Sequence, residues 1–466
     1  MRGNTAHPYM ANSVPAIQQE MLDAIGVDSI EDLFAQIPLD HRTTRPLDLP
    51  PALSEAELKR HLVGILAKNS TCEQNLNFLG AGAWQHHVPA ACDEVVRRNE
   101  FLTSVFGEPS SDHGRNQAWF EFCSQLGELV KLDLVGLPVR SWGSAAGHAI
   151  RMAARLTGRN EVAVVRAIDP ERLSVIRNYC EPVEMASHIA VRLIDYDPAT
   201  GLIDLDDLRA AVGEQTAAVY FETPSYFGVI EHQGAEIAAI ARAAGAETIV
   251  GVDPISLGVL TSPVDFGADM VVGTIQPLGV HMHTGGGVGG FIASPDEDRY
   301  ALQYPTLLLS IAETIEPGEY GFGLGLFEQS SYGLRDEGND WTGHSVYMWA
   351  IAASTYMAMM GPKGFEEVGG QILQRAHYAA QLLSEIDGVS VTFPKGFFKE
   401  FVVNFDETGK SVDHINEALR EFAIFGGKDL SEDFPELGAS ALYCVTEIHT
   451  GSDIERLAGA IRKVVT

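Results

Sequence analysis

One stretch gathers more potential chemistry than any other. After Asp269 an apolar strand, Met270 to Val272, runs into Gln276-Pro277. His281-x-His283 follows, then five glycines within the six residues 285–290. In an extended segment, residues two apart point to the same side. His281 and His283 could therefore share a metal, with a carboxylate from Asp169, Asp253 or Asp112 or with His113. The same two histidines in a glycine-rich loop could equally bond to backbone or to a partner chain. Gly285 and Gly286 would let backbone approach a phosphate, or would simply permit tight turns. Ser144 opens a helix after Val139, as a phosphate cradle does and as an ordinary N-cap does. Asp253 ends a strand before Pro254, either as a carboxylate facing a ligand or as a turn residue. If the chain has chemistry of its own, the candidate catalytic groups are His281, His283, Asp169, Asp253 and His113.

The missing residue type is as informative. The nine lysines stand at 59, 68, 131, 363, 395, 399, 410, 428 and 463. None lies between Lys131 and Lys363, so no lysine on the central elements can form a Schiff base. A lysine reaching in from the C-terminal part is not expected.

The elements that must position these groups alternate in the α/β manner. Helices at Gly143–Thr157, Ser174–Cys180, Asp204–Val212 and Gly234–Ala244 interleave with strands at Val162–Val165, Val191–Ile194, Ala217–Phe221, Thr248–Val252 and Met270–Val272. Short apolar strands without polar alternation point to a mostly parallel sheet covered on both faces. Ligands of such sheets sit at the carboxyl ends of the strands. That would place Arg166–Asp169, Thr223–Phe227, Asp253–Ser256 and Thr274–Thr284 around one mouth. Three parts are expected: an N-terminal arm with helices over 1–70, a large α/β domain over 71–345 and a smaller α+β domain over 346–466. In the arm, Ser54-Glu-Ala-Glu is a capping box opening a helix toward Leu66. The arm cannot bury its apolar faces alone.

The net charge is −31, from 63 acids against 32 bases. That speaks against nucleic acid or anionic membrane as partners. Five widely spaced cysteines, with no CxxC, suggest a reduced, cytoplasmic chain without a disulfide framework. No apolar run is long enough for a membrane span, and no signal peptide is recognised.

Several passages together carry a resemblance: Glu20-Met-Leu-Asp-Ala-Ile-Gly26, Arg45-Pro-Leu-Asp-Leu-Pro-Pro-Ala-Leu-Ser-Glu55, Asn77-Phe-Leu-Gly-Ala-Gly-Ala83, Tyr226-Phe-Gly-Val-Ile-Glu231, Asp253-Pro-Ile-Ser-Leu-Gly258, Gln276-Pro-Leu-Gly279, Glu400-Phe-Val-Val403 and Cys444-Val-Thr-Glu447. On them the chain resembles subunit 1 of the two-subunit glycine dehydrogenase (decarboxylating), the P-protein of the glycine cleavage system. The resemblance implies an aspartate-aminotransferase-like fold of fold-type I. It implies decarboxylation of glycine with transfer of the aminomethyl group to a lipoyl H-protein. It also implies a subunit 2-like partner, in an α2β2 assembly, that carries the lysine and the pyridoxal phosphate. This chain would then hold no covalent cofactor, and Ser144, Asp253, Gly285 and Gly286 would be vestiges of a cofactor site.

The departures from that family cluster in passages expected to face the mouth or the partner. The loop Val105 to Asn116 differs from the family's tyrosine-rich loop and is expected to lead to a helix starting near Gln117. Trp142-Gly-Ser-Ala-Ala146, Asp169-Pro170, Arg335 to His344 and Thr446-Glu-Ile-His-Thr450 differ as well. Asp112, His113, Arg115, Asn116 and Arg335 are therefore the candidate interface residues. Histidines at 148, 344 and 449 and acids at 336 and 340 belong to the same departures. They leave two alternatives to a subunit that completes its partner's active site. One is a paralogue whose complex acts on another amino acid or amine. The other is an enzyme without pyridoxal phosphate, using a pocket lined by histidines and acids.

Overall fold

The computed structural model describes residues 7, 9–43, 45, 47–82, 84–101, 109–183, 185, 187–283, 289–325, 334, 338–340, 342 and 346–466, with backbone alone for 11 and 109–114. The chain falls into two compact units, Met1–Ser70 and Thr71–Thr466.

In the first unit, helix Pro15–Ile25 ends at Gly26, whose left-handed φ of 83° suits a residue without Cβ. Helix Glu55–Leu66 opens on the expected capping box: Glu57 N–H donates to Ser54 Oγ, and Ser54 N–H donates to the Glu57 carboxylate at 2.9 Å. Its apolar residues Leu58, Leu62, Val63, Ile65 and Leu66 are all exposed.

The second unit is built on a seven-stranded sheet. Its order is Leu134–Val135, Gly290–Ser294, Met270–Thr274, Glu247–Val252, Thr216–Glu222, Glu161–Val165 and Ala190–Ile194. Gly290–Ser294 runs against its neighbours, and the other adjacent pairs are parallel. The central strands are buried at every position, which explains their unbroken apolar runs. Successive residues go to opposite faces. Ala218 and Tyr220 join helix Trp142–Thr157 in one core, while Val219 and Phe221 join helices Pro109–Val130 and Tyr347–Ser384 in the other.

The C-terminal part carries a four-stranded antiparallel sheet, ordered Ser390–Val391, Glu400–Asn404, Ser440–Cys444 and Lys428–Asp429. Helices Val412–Arg420 and Gly451–Val465 and the end of the long helix pack on it. The long helix Tyr347–Ser384 breaks at Gly361, φ 56°, before Pro362, because proline cannot continue a helix without a clash.

Two expectations need correction. The 105–116 passage is not an open loop up to Gln117, because helix Pro109–Val130 begins eight residues earlier. Proline at a first helical position is pre-set for the helix. An antiparallel hairpin, Leu308–Glu313 with Tyr320–Gly325, was not anticipated from the sequence. Among the described residues, no helix is long and apolar enough to cross a membrane.

Candidate functional site

At the carboxyl ends of the central strands a lysine does stand in the mouth, and it comes from the small sheet. Lys399 immediately precedes strand Glu400–Asn404 and is 1% exposed. Its Nζ lies 2.5 Å from Asp253 Oδ2, 2.8 Å from His86 Nε2 and 3.9 Å from the centre of the Trp84 ring. Lysine only donates, so His86 Nε2 accepts. His86 Nδ1 then carries the proton and donates to Glu447 Oε2 at 2.7 Å. The result is a buried relay of carboxylate, imidazole, ammonium and carboxylate across the seam between the two sheets.

The backbone has been shaped to let this happen. Lys399 has a φ of 62°, in the left-handed region that costs a non-glycine residue energy. A Cβ on Gly228 would stand 1.8 Å from the Glu400 carbonyl oxygen, and one on Gly80 would stand 2.1 Å from the Glu400 carboxylate. Glycine at 228 admits the backbone of the Lys399–Glu400 turn, and glycine at 80 leaves room for the Glu400 carboxylate. Phe398 N–H donates to Gly228 O at 2.9 Å, and Val445 N–H donates to Lys399 O at 2.9 Å. These bonds fix the turn between the two halves of the unit.

The neighbouring charges are also paired. Arg172 donates to Glu222 at 2.6 Å and lies 3.8 Å over the Trp142 ring, with Asp169 at 3.8 Å. Glu400 accepts from Ala81 N–H at 2.6 Å, yet burial pushes its carboxyl up to about 7. Burial also raises Glu447, but His86 and the His87 N–H pull harder and hold it at about 2. The space left between Trp84, Arg172, Asp253 and Lys399 is about 20 Å³, which is room for one water.

The turn at 276 is sealed in a different way. Gln276 is buried, and its Nε2 donates to Trp84 O at 3.0 Å and to Val280 O at 3.3 Å.

The remaining candidates scatter. His281 leaves the mouth and pairs with Asp93 at 3.0 Å, while His283 lies on the Trp349 ring at 4.6 Å. The two imidazoles are 6.4 Å apart. Among the described residues no three metal-ligating side chains converge. Asp169 caps helix Pro170–Cys180 through Glu171 N–H at 3.0 Å, and Asp253 is held by Lys399. Ser144 lies inside helix Trp142–Thr157, where its own N–H donates to the true cap, Ser141. Arg115 and Asn116 are 3% and 6% exposed, so as interface residues they are replaced by a buried role within this chain. Helix Pro109–Val130 turns them inward, and the Arg115 guanidinium lies 4.9 Å over Trp119. The side chains of Asp112 and His113, and residues Gly285, Gly286 and Arg335, lie outside the described residues.

His148 is buried against Tyr179, and burial pushes its imidazole down to about 4. Asp340 ties its segment to Arg151 and Arg155. His449 is buried between Asn77 O and Thr446 N–H.

Sequence reasoning missed Lys399, His86, Trp84 and Arg172. One signal was present. The passages around Gly80, Gly228, Asp253, Gln276, Glu400 and Glu447, all quoted for the family resemblance, converge on this cleft, and Lys399 immediately precedes one of them.

Comparison with known proteins accords with that geometry. The family model described as "Glycine cleavage system P-protein" matches residues 9–458. A relative from Staphylothermus marinus, named probable glycine dehydrogenase (decarboxylating) subunit 1, is 33% identical over 99% of this chain and 98% of its own. One of the same name from Geobacillus kaustophilus is 36% identical over 95% of this chain and 96% of its own. Among solved structures, an inhibitor-bound glycine decarboxylase (P-protein) of the glycine cleavage system superimposes with a TM-score of 0.87. It is 30% identical, covering 99% of this chain and 100% of that one. A sphingosine-1-phosphate lyase from Burkholderia pseudomallei, 14% identical with a TM-score of 0.64 over 92% and 94%, shares the fold alone. The architecture is that of the fold-type I enzymes, and the chain belongs to the glycine cleavage system P-protein family.

Proposed function

We propose that this chain is the subunit of a glycine-decarboxylating complex that does not itself hold the cofactor. A subunit 2-like partner would carry pyridoxal phosphate and the Schiff-base lysine, in an α2β2 assembly, and pass the aminomethyl group to a lipoyl H-protein. The observation that carries this reading is the Lys399–Asp253 ion pair, together with family membership. The residues of the cleft do not fit the cofactor. Where the fold would offer a carboxylate to the pyridine nitrogen, Asp253 is held by Lys399 at 2.5 Å. An amine on that carboxylate stands at the nitrogen end of the ring, opposite the aldehyde. The turn at the end of strand Met270–Thr274 offers the amide Gln276, which forms no Schiff base. Arg172, the cation that a phosphate would need, is already held by Glu222 and Asp169.

The exposed apolar faces of helices Pro15–Ile25 and Glu55–Leu66 support an obligate partner. The test is reconstitution with the subunit 2-like chain from the same genome, assayed by glycine–bicarbonate exchange with lipoylated H-protein. Exchange should need both chains, and cofactor absorbance should travel with the partner. Decarboxylation by this chain alone, or a complex active on another amine but not on glycine, would sink the reading.

A further inference from the structure

A lysine ammonium meets three groups in the cleft that attract a cation. They are Asp253 Oδ2 at 2.5 Å, His86 Nε2 at 2.8 Å and the face of Trp84 at 3.9 Å. A carboxylate, an imidazole nitrogen and an indole face each attract a cation, and in a buried site the attraction to the ring is strongest. His86 is aimed by Glu447, and the Trp84 carbonyl is held by Gln276. Asp253 and Gln276 follow central strands, while Glu447, which aims His86, stands in the C-terminal part, as Lys399 does, so the cage is assembled from both sides of the seam. The ammonium enters on a turn whose left-handed φ of 62° is not a lysine preference.

We propose that this cleft is a binding site for a primary ammonium, and that Lys399 is its built-in ligand. The site recognises R–NH3+ by its charge, paired with Asp253 and set on the Trp84 face, and by the N–H that His86 Nε2 accepts. It discriminates against quaternary ammonium, which has no N–H donor. In filling it, Lys399 docks the four-stranded sheet onto the seven-stranded one. The cage is made of this chain's own residues and stands whatever complex the chain joins.

The test removes the ligand and returns it in trans. Lys399→Gly suits the left-handed backbone and opens space for four methylenes and an ammonium, which is n-butylammonium. The full-length variant should melt below the parent. n-Butylammonium should raise its melting temperature at a concentration about tenfold lower than n-butyltrimethylammonium needs. n-Butanol, of similar shape without charge, should have no comparable effect, and the parent should respond to none of the three. Equal protection by butanol, or no protection by butylammonium of a variant that is folded at low temperature, would overturn the proposal.

Should Lys399→Gly fail to fold, Lys399→Met keeps the stem without the charge. It should melt below the parent and recover when Asp253→Asn is added. A Lys399→Met chain as stable as the parent refutes the cage. So does a parent chain in which pyridoxal phosphate, fixed by borohydride reduction, is found on Lys399.

Discussion

Gln276 and Lys399 both grip Trp84, but by opposite means. Gln276, at the end of a central strand, is neutral and donates to the Trp84 carbonyl and to Val280. Lys399, at the edge of the small sheet, is charged, sits on the Trp84 ring and is countered by Asp253. The first turn is closed by hydrogen bonds within one half of the unit. The second joins two halves through a buried charge. The strand-end turn thus carries a neutral amide, while the lysine of the cleft comes from the edge of the small sheet and is held there as an ion pair. The difference predicts that damage at Lys399's partners will be large and charge-dependent, and damage at Gln276 small and local.

The largest effect should come from Asp253→Ala. It leaves the Lys399 ammonium buried with no carboxylate, and breaking one side of a buried pair costs about 3–5 kcal/mol. Chemical denaturation should show that loss. The double variant Asp253→Asn/Lys399→Met, which removes both charges and keeps the volume, should recover most of it. A double variant as weak as Asp253→Ala would mean that the pair contributes by shape and not by charge.

The second test concerns the carboxylates on either side of Lys399. Glu447 goes from an ordinary 4.5 to about 2 on folding. The folded form resists the proton that the unfolded chain takes up, so stability is present above about pH 4.5 and is lost as the pH falls toward 2. Glu400 goes from 4.5 to about 7. Here the folded form keeps a proton that the unfolded chain has shed, so stability is lost as the pH rises from about 4.5 to 7. At about 1.4 kcal/mol per pH unit, each limb is worth roughly 3 kcal/mol. The acid limb should shrink by about that amount in Glu447→Gln, the lowered Asp340 supplying part of what remains, and the loss between pH 4.5 and 7 should shrink likewise in Glu400→Gln. If Glu447→Gln leaves the amplitude of the acid limb unchanged, His86 is not held as the relay requires.

Much of the scaffold was legible in sequence because its signals are local. Ser54 with Glu57 announces a helix start by short-range hydrogen bonding. The buried strands announce themselves by unbroken apolar runs. The cleft was not legible, because its bonds join Lys399 to Asp253, His86 and Trp84 across hundreds of residues, and no spacing rule registers such a distance. The gap from Lys131 to Lys363 was a true observation about the chain and a poor guide to the mouth, since a sheet edge from the C-terminal part enters it. His281 and His283 show the same limit, since their spacing does not disclose that Asp93 pairs with one and the Trp349 ring packs on the other. Helix Pro109–Val130 turned Arg115 inward for a related reason, since a passage without apolar periodicity read as a loop although Pro109 starts a helix.

The smallest effect should be at Gln276. Its side chain is buried, and Nε2 is the donor that both Trp84 O and Val280 O receive. Gln276→Ala leaves two buried carbonyls short of a donor, a loss of about 1–3 kcal/mol. It leaves the Lys399 cage charged and paired. The variant should therefore lose stability without any change in the pH limbs set by Glu400 and Glu447, and without responding to n-butylammonium. Gln276→Lys is the sharper form of the same experiment, because it returns an amine to the turn. Lysine can still donate to both carbonyls, so the cost comes from a second cation beside Lys399 and not from orphaned backbone. Asp253 stays engaged, and the variant should develop no absorbance band with pyridoxal phosphate. A band in Gln276→Lys would show that the missing amine alone had kept the cofactor out, and that Lys399 fills a cleft that the cofactor could still enter.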